Sequence, residues 1–272
     1  MKINKNGIDV FVSEKPVDTK HDARVMSFWN EYQNNFEDYT FAIFDRFLDK
    51  DHGFIDIGAW VGATVLYGAH KAKECYCFEP DKLAFKYLKN NILENHEIKD
   101  KIHAFDFGVS DKNSQETFYV GSGSTSMSSL KPIWNKKESY TIDVHDFATT
   151  LTKANIDFKT INFIKIDIEG GEFALIPSLI DYLKKVNHYP TLYISLHTPF
   201  TFSMFWKKSF FHKVVAFLPK KVSARVKNIK MINTLSSAYS NIYLRDGTPL
   251  KKVSELGDAR AFIEIVATNS TW

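Results

Sequence analysis

The stretch "INFIKIDIEGG", residues 161–171, sets Lys165, Asp167 and Glu169 at every second position. In an extended chain alternate residues share a face. These three charged groups would therefore lie on one side, with Ile164, Ile166 and Ile168 on the other. A central parallel strand is normally apolar on both faces. Two carboxylates at its carboxyl end, just before Gly170 and Gly171, are thus expected to point into a crevice. "TLYISLHTPF" places His197 at the end of a further strand. Asp167, Glu169 and His197 are the expected catalytic group. They suit a general base with its orienting acid, or a site for Mg²⁺ or Mn²⁺ built from oxygen and imidazole ligands. Either device would help remove the proton of a hydroxyl, a poor nucleophile while it keeps that proton. Glu172 is expected to serve the start of the following helix, where an acid complements the helix dipole.

A second set of residues describes a binding site. "FIDIGAWVG", residues 54–62, reads as strand, glycine turn and helix start. In an open α/β sheet, ligands bind beyond the carboxyl ends of the strands. Gly58 and Gly62 would let the backbone approach a ligand closely. The spacing departs from the G-x-G-x-x-G of dinucleotide sites, because Ala59, Trp60 and Val61 fill the interval. A bulky Trp60 suits a pyrophosphate poorly. The Asp56 carboxylate suits an amino group better than a phosphate. Glu79 ends the next strand, in "ECYCFEP", where it can accept hydrogen bonds from two ribose hydroxyls. An amino-acid end and a ribose end together describe S-adenosylmethionine.

The elements that must position these groups alternate along the chain. "GFIDIG", "ECYCFEP" and "KIHAFDFGVSD" are strand-like. "GATVLYGAHKA" and "DKLAFKYLKNNILEN" are helix-like, with Asp81 near the start of the second. This alternation predicts an α/β fold, a parallel sheet with helices on both faces. "ETFYVG" and "SYTIDVHDF" are predicted strands around a loop rich in Ser and Lys. "EFALIPSLIDYLKKV" reads as a helix that Pro177 limits or starts. "SNIYLRDG" and "AFIEIVATN" predict an antiparallel edge pair. Phe28, Tyr32, Phe36, Tyr39, Ile43 and Phe47 recur at roughly helical spacing and predict one or two helices before the first core strand. The expected organisation is an N-terminal helical extension over residues 1–50 and one domain over residues 51–272. A basic aromatic insertion or lid occupies about residues 201–235 of that domain.

That insertion, from Lys207 and Lys208 through Lys230, interleaves lysines with Phe and Trp and has no acidic residue between positions 201 and 230. It suits a solvated lid, a surface for a phosphate-bearing or lipid-linked acceptor, or peripheral contact with a membrane. It carries no RNA-binding motif. The chain has 272 residues, 44% of them hydrophobic and 25% charged, which argues against disorder. A net charge of +3 gives no case for nucleic acid as a partner. There is no run of about 18 apolar residues and no apolar signal-peptide core, so the expected location is cytoplasmic. Cys75 and Cys77 are too close to bridge each other and read as core thiols.

"DIGAWVG", "CFEPD", "LKNNILEN", "FGVSD" and "IKIDIEGGEF" occur in this order between about Glu31 and His197. In that set the chain resembles the FkbM-type methyltransferases. The resemblance implies a Rossmann-like class I methyltransferase sheet, mostly parallel with an antiparallel edge, and O-methylation. Carried over by position, Asp56, Gly58, Ala59 and Gly62 would face the methionine part of S-adenosylmethionine. Glu79 would face the ribose, and Asp106 would approach the adenine. His197 is a departure, since the resemblance implies a glutamate in this region. The expected function is methylation of a sugar hydroxyl in a glycan or in its nucleotide- or lipid-linked precursor. A small-molecule hydroxyl of the polyketide type is the alternative acceptor. An NAD-dependent oxidoreductase is disfavoured by the missing third glycine. A non-catalytic binding module is disfavoured by the intact Asp56, Glu79 and Asp167. The N/D-P-P-Y/F signature of enzymes that methylate base amines is absent.

Overall fold

A hairpin opens the chain: β1 (Lys2–Lys5) and β2 (Ile8–Phe11) pair antiparallel. Asn6 and Gly7 turn it with φ of 50° and 80°, both in the left-handed region that Asn-Gly favours. The structure is a computed structural model, and it describes residues 1–120, 139–197, 220–250 and 262–272. Helices α1 (Asp22–Asn35) and α2 (Asp38–Phe47) follow, as the periodicity predicts. Val25, Trp29 and Tyr32 of α1 are buried one turn apart, and so are Phe41 and Phe44 of α2. The extension is therefore two helices plus an unforeseen hairpin.

The α/β part begins with β3 (Gly53–Ile57), α3 (Ala63–Lys71), β4 (Cys75–Phe78), α4 (Lys82–Glu94) and β5 (Ile102–Phe105). Three short strands then form a separate sheet: β6 (Gly108–Ser110), β7 (Ser114–Tyr119) and β8 (Ser139–Asp146). The chain returns through α5 (Phe147–Lys153), β9 (Ile161–Ile166), α6 (Glu172–Val186) and β10 (Thr191–His197). It closes with α7 (Lys220–Ser236), β11 (Asn241–Leu244) and β12 (Phe262–Thr268).

The central sheet has the order β5-β4-β3-β9-β10-β12-β11. Its pairs from β5 to β10 are all parallel. β12 runs antiparallel to both β10 and β11, so the reversed strand is inserted beside the edge rather than forming it. Alternation along the strands sorts the core into two layers. Phe54, Cys77, Phe163 and Tyr193 face α1 to α4. Ile55, Ile57, Ile164, Ile166 and Ile194 face α5 to α7. Each such fully buried side chain stabilises the fold by about 1.5–3 kcal/mol.

Two local expectations are corrected. The stretch predicted as a third strand is broken at Asp106 and Phe107. β5 stays in the main sheet, while β6 crosses to pair parallel with β8. Pro177 neither limits nor starts α6, which begins at Glu172 and contains it. Proline removes only the hydrogen bond to Phe173, and buried Leu175, Ile176, Leu179 and Leu183 hold the helix on the sheet. Asp81 is the N-cap of α4, its side chain accepting from the amides of Leu83 and Ala84. Most of the basic aromatic tract, residues 201–219, and the Ser/Lys loop, residues 121–138, lie outside the described residues. Among the described residues no helix is long and apolar enough to cross a membrane.

Candidate functional site

Beyond the carboxyl ends of the parallel strands lies a cavity of about 530 Å³. That size suits a small-molecule site. Ile57, Phe78, Asp167 and His197 mark where β3, β4, β9 and β10 reach it. On the β4 side of β3 its wall is mostly apolar, with Phe78, Phe107, Val109, Phe118 and Ile142. On the β9 side it is polar, with Asp167, Glu169, Ser195, His197 and Glu264. The N-terminal extension closes it through Phe28, Phe36 and Glu37.

The turn after β3 is tight because it meets the turn after β9. Gly58 has φ of +90°, and a Cβ there would stand 1.9 Å from the Asp167 carbonyl oxygen. Only glycine permits this approach. Gly58 and Trp60 line the cavity, whereas Ala59 and Gly62 do not. Gly62 instead lets α3 pack on α4, since a Cβ would come within 2.9 Å of Leu88. Asp56 is fully buried and also absent from the lining. It pairs in register with Lys165 of the neighbouring strand. Its carboxylate lies 3.3 Å from the Lys165 ammonium and accepts from the Thr64 hydroxyl at 2.5 Å. Burial pushes the Asp56 carboxyl up, and that ammonium and hydroxyl oppose the push. Asp56 thus sits inside the sheet layer, off the cavity lining. Asp106 is exposed on the turn between β5 and β6, and its neighbour Phe107 lines the cavity in its place.

Glu79 lies where the sequence places it, buried at the end of β4 and facing the cavity. One carboxylate oxygen accepts from the Trp60 amide at 2.8 Å and the other from the Asp81 amide at 2.7 Å. Each oxygen keeps a lone pair for a further donor. Burial, and then the Asp81 charge, push its carboxyl up to about 8.

β9 ends at Ile166, so Asp167 and Glu169 belong to a turn and not to the strand face that the alternation suggests. Glu169 takes a left-handed conformation, φ 50°, followed by Gly170 at 93°. The turn nonetheless brings the expected group together. The His197 Nε2 lies 3.4 Å from Asp167 and 3.7 Å from Glu169. Its Nδ1 is hydrogen-bonded to Glu172 at 2.8 Å. Glu172 is fully buried, and the same oxygen accepts from the amides of Ile168 and Gly170, both at 3.1 Å. It therefore fixes both the turn and the imidazole, well beyond serving a helix start. Burial alone would pull the His197 pKa down. The Glu172 bond and the charges of Asp167, Glu172 and Glu169 instead raise it to about 9. The Lys165 ammonium also lies 3.5 Å from Asp167.

Asp167, Glu172 and His197 each offer a ligand atom within 4.8 Å of one another, a spacing that a divalent ion could use. As the cluster stands, its positive partners are the imidazole proton and the Lys165 ammonium, and a metal would have to replace that proton.

Several lining residues escaped the sequence reading, the charged ones being Glu37, Arg245 and Glu264. Glu264 accepts from the Tyr193 hydroxyl at 2.7 Å and from Arg245 at 2.6 Å. Tyr193 meets Thr40 at 2.7 Å, and Thr40 donates to Glu37 at 3.1 Å. The signal for Glu264 was present, since it is a lone charge in the apolar "AFIEIVATN". Glu37 and Arg245 carry no comparable signal in isolation.

A fold of this order, with its cavity at the carboxyl ends of the parallel strands, is that of Rossmann-like methyltransferases. A family model described as "Methyltransferase FkbM domain" matches residues 56–233, and the chain belongs to that family. No curated protein sequence matches the chain. Among solved structures it is similar to methyltransferase FkbM from Methylobacillus flagellatus KT, with a TM-score of 0.45 and 14% identity over 90% of this chain. It spans 59% of that protein's length. It is also similar to an O-methyltransferase from Bacillus cereus in complex with SAH, with a TM-score of 0.44 and 10% identity, covering 93% of this chain and 92% of that one. An S-adenosylmethionine-dependent O-methyltransferase from Thermotoga maritima gives 0.47 and 9%, covering 94% and 73%.

Proposed function

We propose that the protein is an S-adenosylmethionine-dependent O-methyltransferase that acts on a sugar hydroxyl of a glycan or its precursor. One observation carries this reading: a single cavity joins the Glu79 carboxylate and its apolar walls to the His197 carboxylate cluster. The donor set fits the cofactor. Glu79 can accept from both ribose hydroxyls, and Phe78, Phe107 and Val109 offer a slot for a flat base. When bound, the cofactor supplies an electrophilic methyl group on a sulfonium. On the other side, Glu169, Ser195, His197, Arg245 and Glu264 offer acceptors and donors for several hydroxyls. An apolar acceptor of the polyketide type would desolvate those polar groups and offer them no further hydrogen bond. Membership of a methyltransferase family leaves no ground for the oxidoreductase reading.

The test has two parts. Calorimetry should show binding of S-adenosylhomocysteine and none of NAD. Labelled S-adenosylmethionine should then transfer methyl groups to fractionated glycans. Absence of S-adenosylhomocysteine binding would sink the reading. A second reading, in which Asp167, Glu172 and His197 hold Mg²⁺ or Mn²⁺, rests on the spacing of their ligand atoms. Under it EDTA should abolish turnover and either ion should restore it. With a proton in that place, EDTA should change nothing.

Glu79 gives a sharper expectation. Charge-assisted hydrogen bonds contribute about 1.5–3 kcal/mol each, so Glu79→Ala should weaken S-adenosylhomocysteine binding at least about tenfold. Ribose hydroxyls favour the ionised carboxylate, while the free site holds it protonated below about 8. Binding should therefore tighten as pH rises from 6 towards 8 and release protons in that window. Calorimetry in buffers of different ionisation enthalpy checks this, and a pH-independent affinity would show that Glu79 does not meet the ribose.

A further inference from the structure

We propose that Glu37, which lies outside the residues matched by the family model, is the general base that takes the proton of the acceptor hydroxyl. The proposal rests on the O-methyltransferase reading and names a residue that this reading lacks. His197 cannot easily fill the role, because three carboxylates surround its ring and hold a proton there. The other acids on the lining face charged or hydrogen-bonding partners, Glu169 among them, 3.7 Å from the His197 Nε2. Asp167 faces Lys165 and His197. Glu79 accepts from two backbone amides. Glu264 is held by Tyr193 and Arg245.

Glu37 differs from all of these. Among the described residues its carboxylate has one hydrogen-bond partner, the Thr40 hydroxyl at 3.1 Å, and no ion-pair partner. It sits on the same cavity wall system as Asp167 and His197. The break between α1 and α2 puts it there, at φ 44° and ψ 44°. That left-handed conformation suits glycine or asparagine and costs a glutamate free energy. A charged side chain kept in a strained backbone position and turned into a cavity marks a functional demand more than a packing one.

The hydrogen bonds behind Glu37 also give its proton somewhere to go. Thr40 and Tyr193, both almost fully buried, link Glu37 to Glu264, and Glu264 meets the half-exposed Arg245. Each hydroxyl in this chain can reverse the direction in which it donates. The groups facing Glu37 are Asp167 and Lys165 from β9 and its turn, Glu264 from β12, and Thr40 on its own helix. Glu37 is an exposed residue that lines the cavity. Desolvation of its carboxyl, followed by the Asp167 and Glu264 charges, pushes it up to about 7, with Lys165 and Thr40 opposing. A base works best with a pKa near the working pH.

The step balances. The acceptor O–H bond breaks and its proton goes to the Glu37 carboxylate. The oxygen's electron pair forms the new O–CH₃ bond. The C–S bond breaks, its pair stays on sulfur, and the sulfonium charge is lost.

The experiment uses the full chain, labelled at glutamate carboxyl carbons and saturated with S-adenosylhomocysteine, which keeps Glu79 ionised. One glutamate carboxyl should titrate near 7. Its signal should vanish in Glu37→Gln and shift in Thr40→Val. Labelled methyl transfer to the methyl α-glycosides of glucose, galactose and mannose supplies the second readout. The wild-type rate should rise with pH to a plateau above about 7. Glu37→Gln should lose about 10²–10⁴ in kcat and lose that rise, with S-adenosylhomocysteine affinity within twofold of wild type. Titration of every glutamate below about 5.5, or a Glu37→Gln variant with the wild-type pH profile, would overturn the proposal. Failure to bind S-adenosylhomocysteine would instead overturn the methyltransferase reading. Failure of all three glycosides to accept a methyl group would overturn the sugar class, with the carboxyl titration then deciding for or against Glu37.

Discussion

Lys165→Met should lower the unfolding free energy by about 3–5 kcal/mol, because it strands a buried carboxylate. Lys165 is 4% exposed and Asp56 is 0% exposed, so water cannot replace the lost ammonium. Burial pulls the Lys165 pKa down, yet Asp56, Asp167 and Glu37 together hold it above the ordinary lysine value. Without it, Asp56 must take a proton to stay buried. The sign of the pH dependence follows. A carboxyl whose pKa is raised in the folded state binds its proton more tightly there than in the unfolded chain. Stability is then lost as pH rises from the ordinary carboxylate range towards the raised value. The variant should thus be more destabilised at pH 8 than at pH 5. Adding Asp56→Leu should recover most of the loss, since an apolar pair of similar volume is often neutral. Urea unfolding at both pH values checks this. A single variant within 1 kcal/mol of wild type would show that Asp56 is neutral in the native protein as well.

The same ion pair shows how far the sequence could be read. Asp56 and Lys165 each stand out as charges in apolar strands, but the sequence reading turns Asp56 towards a ligand and does not foresee the pair. Which side of the sheet each one serves depends on register. Asp56↔Lys165 pairing across β3 and β9 turns both inward, and register is set by long-range packing that one strand does not encode. The His197 cluster was legible for a different reason from the one that located it. Strand alternation predicted a shared face for Asp167 and Glu169, but the strand stops at Ile166. The glycines at 170 and 171 had signalled a turn, and that turn gathers the carboxylates around the imidazole. Glu79 was legible because the end of a strand and the start of a helix are both local features. Glu37 was not, since its position depends on how α1 and α2 break against β10 and β12. The hairpin at Asn6-Gly7 was missed although its turn signal is local, because residues 2 to 11 hold too few apolar groups to stand out as strands.

His197→Ala should reduce kcat by about 10²-fold while leaving S-adenosylhomocysteine affinity close to wild type. The reason is positional. The imidazole ties Asp167, Glu169 and Glu172 into one cluster. Without it, three carboxylates repel one another beside the acceptor, and a shift of about 1 Å in a positioned group can cost about 10²-fold. Asp167→Asn should cost a similar factor. Because the two act as a unit, the double variant should be little worse than either single one. The pH profile separates this role from that of a base. A basic His197 with an ordinary pKa would make activity rise through about 6.5. A ring held protonated up to about 9 makes activity fall above that value instead. Stability carries the same sign. With the folded pKa above the unfolded one, the contribution of His197 is complete below about 6.5 and is lost as pH rises through about 9. His197→Ala should therefore destabilise the protein more at pH 6 than at pH 10. An activity profile that loses a rising limb near 6.5 in this variant, or single-variant losses that multiply in the double, would move His197 from positioning residue to base.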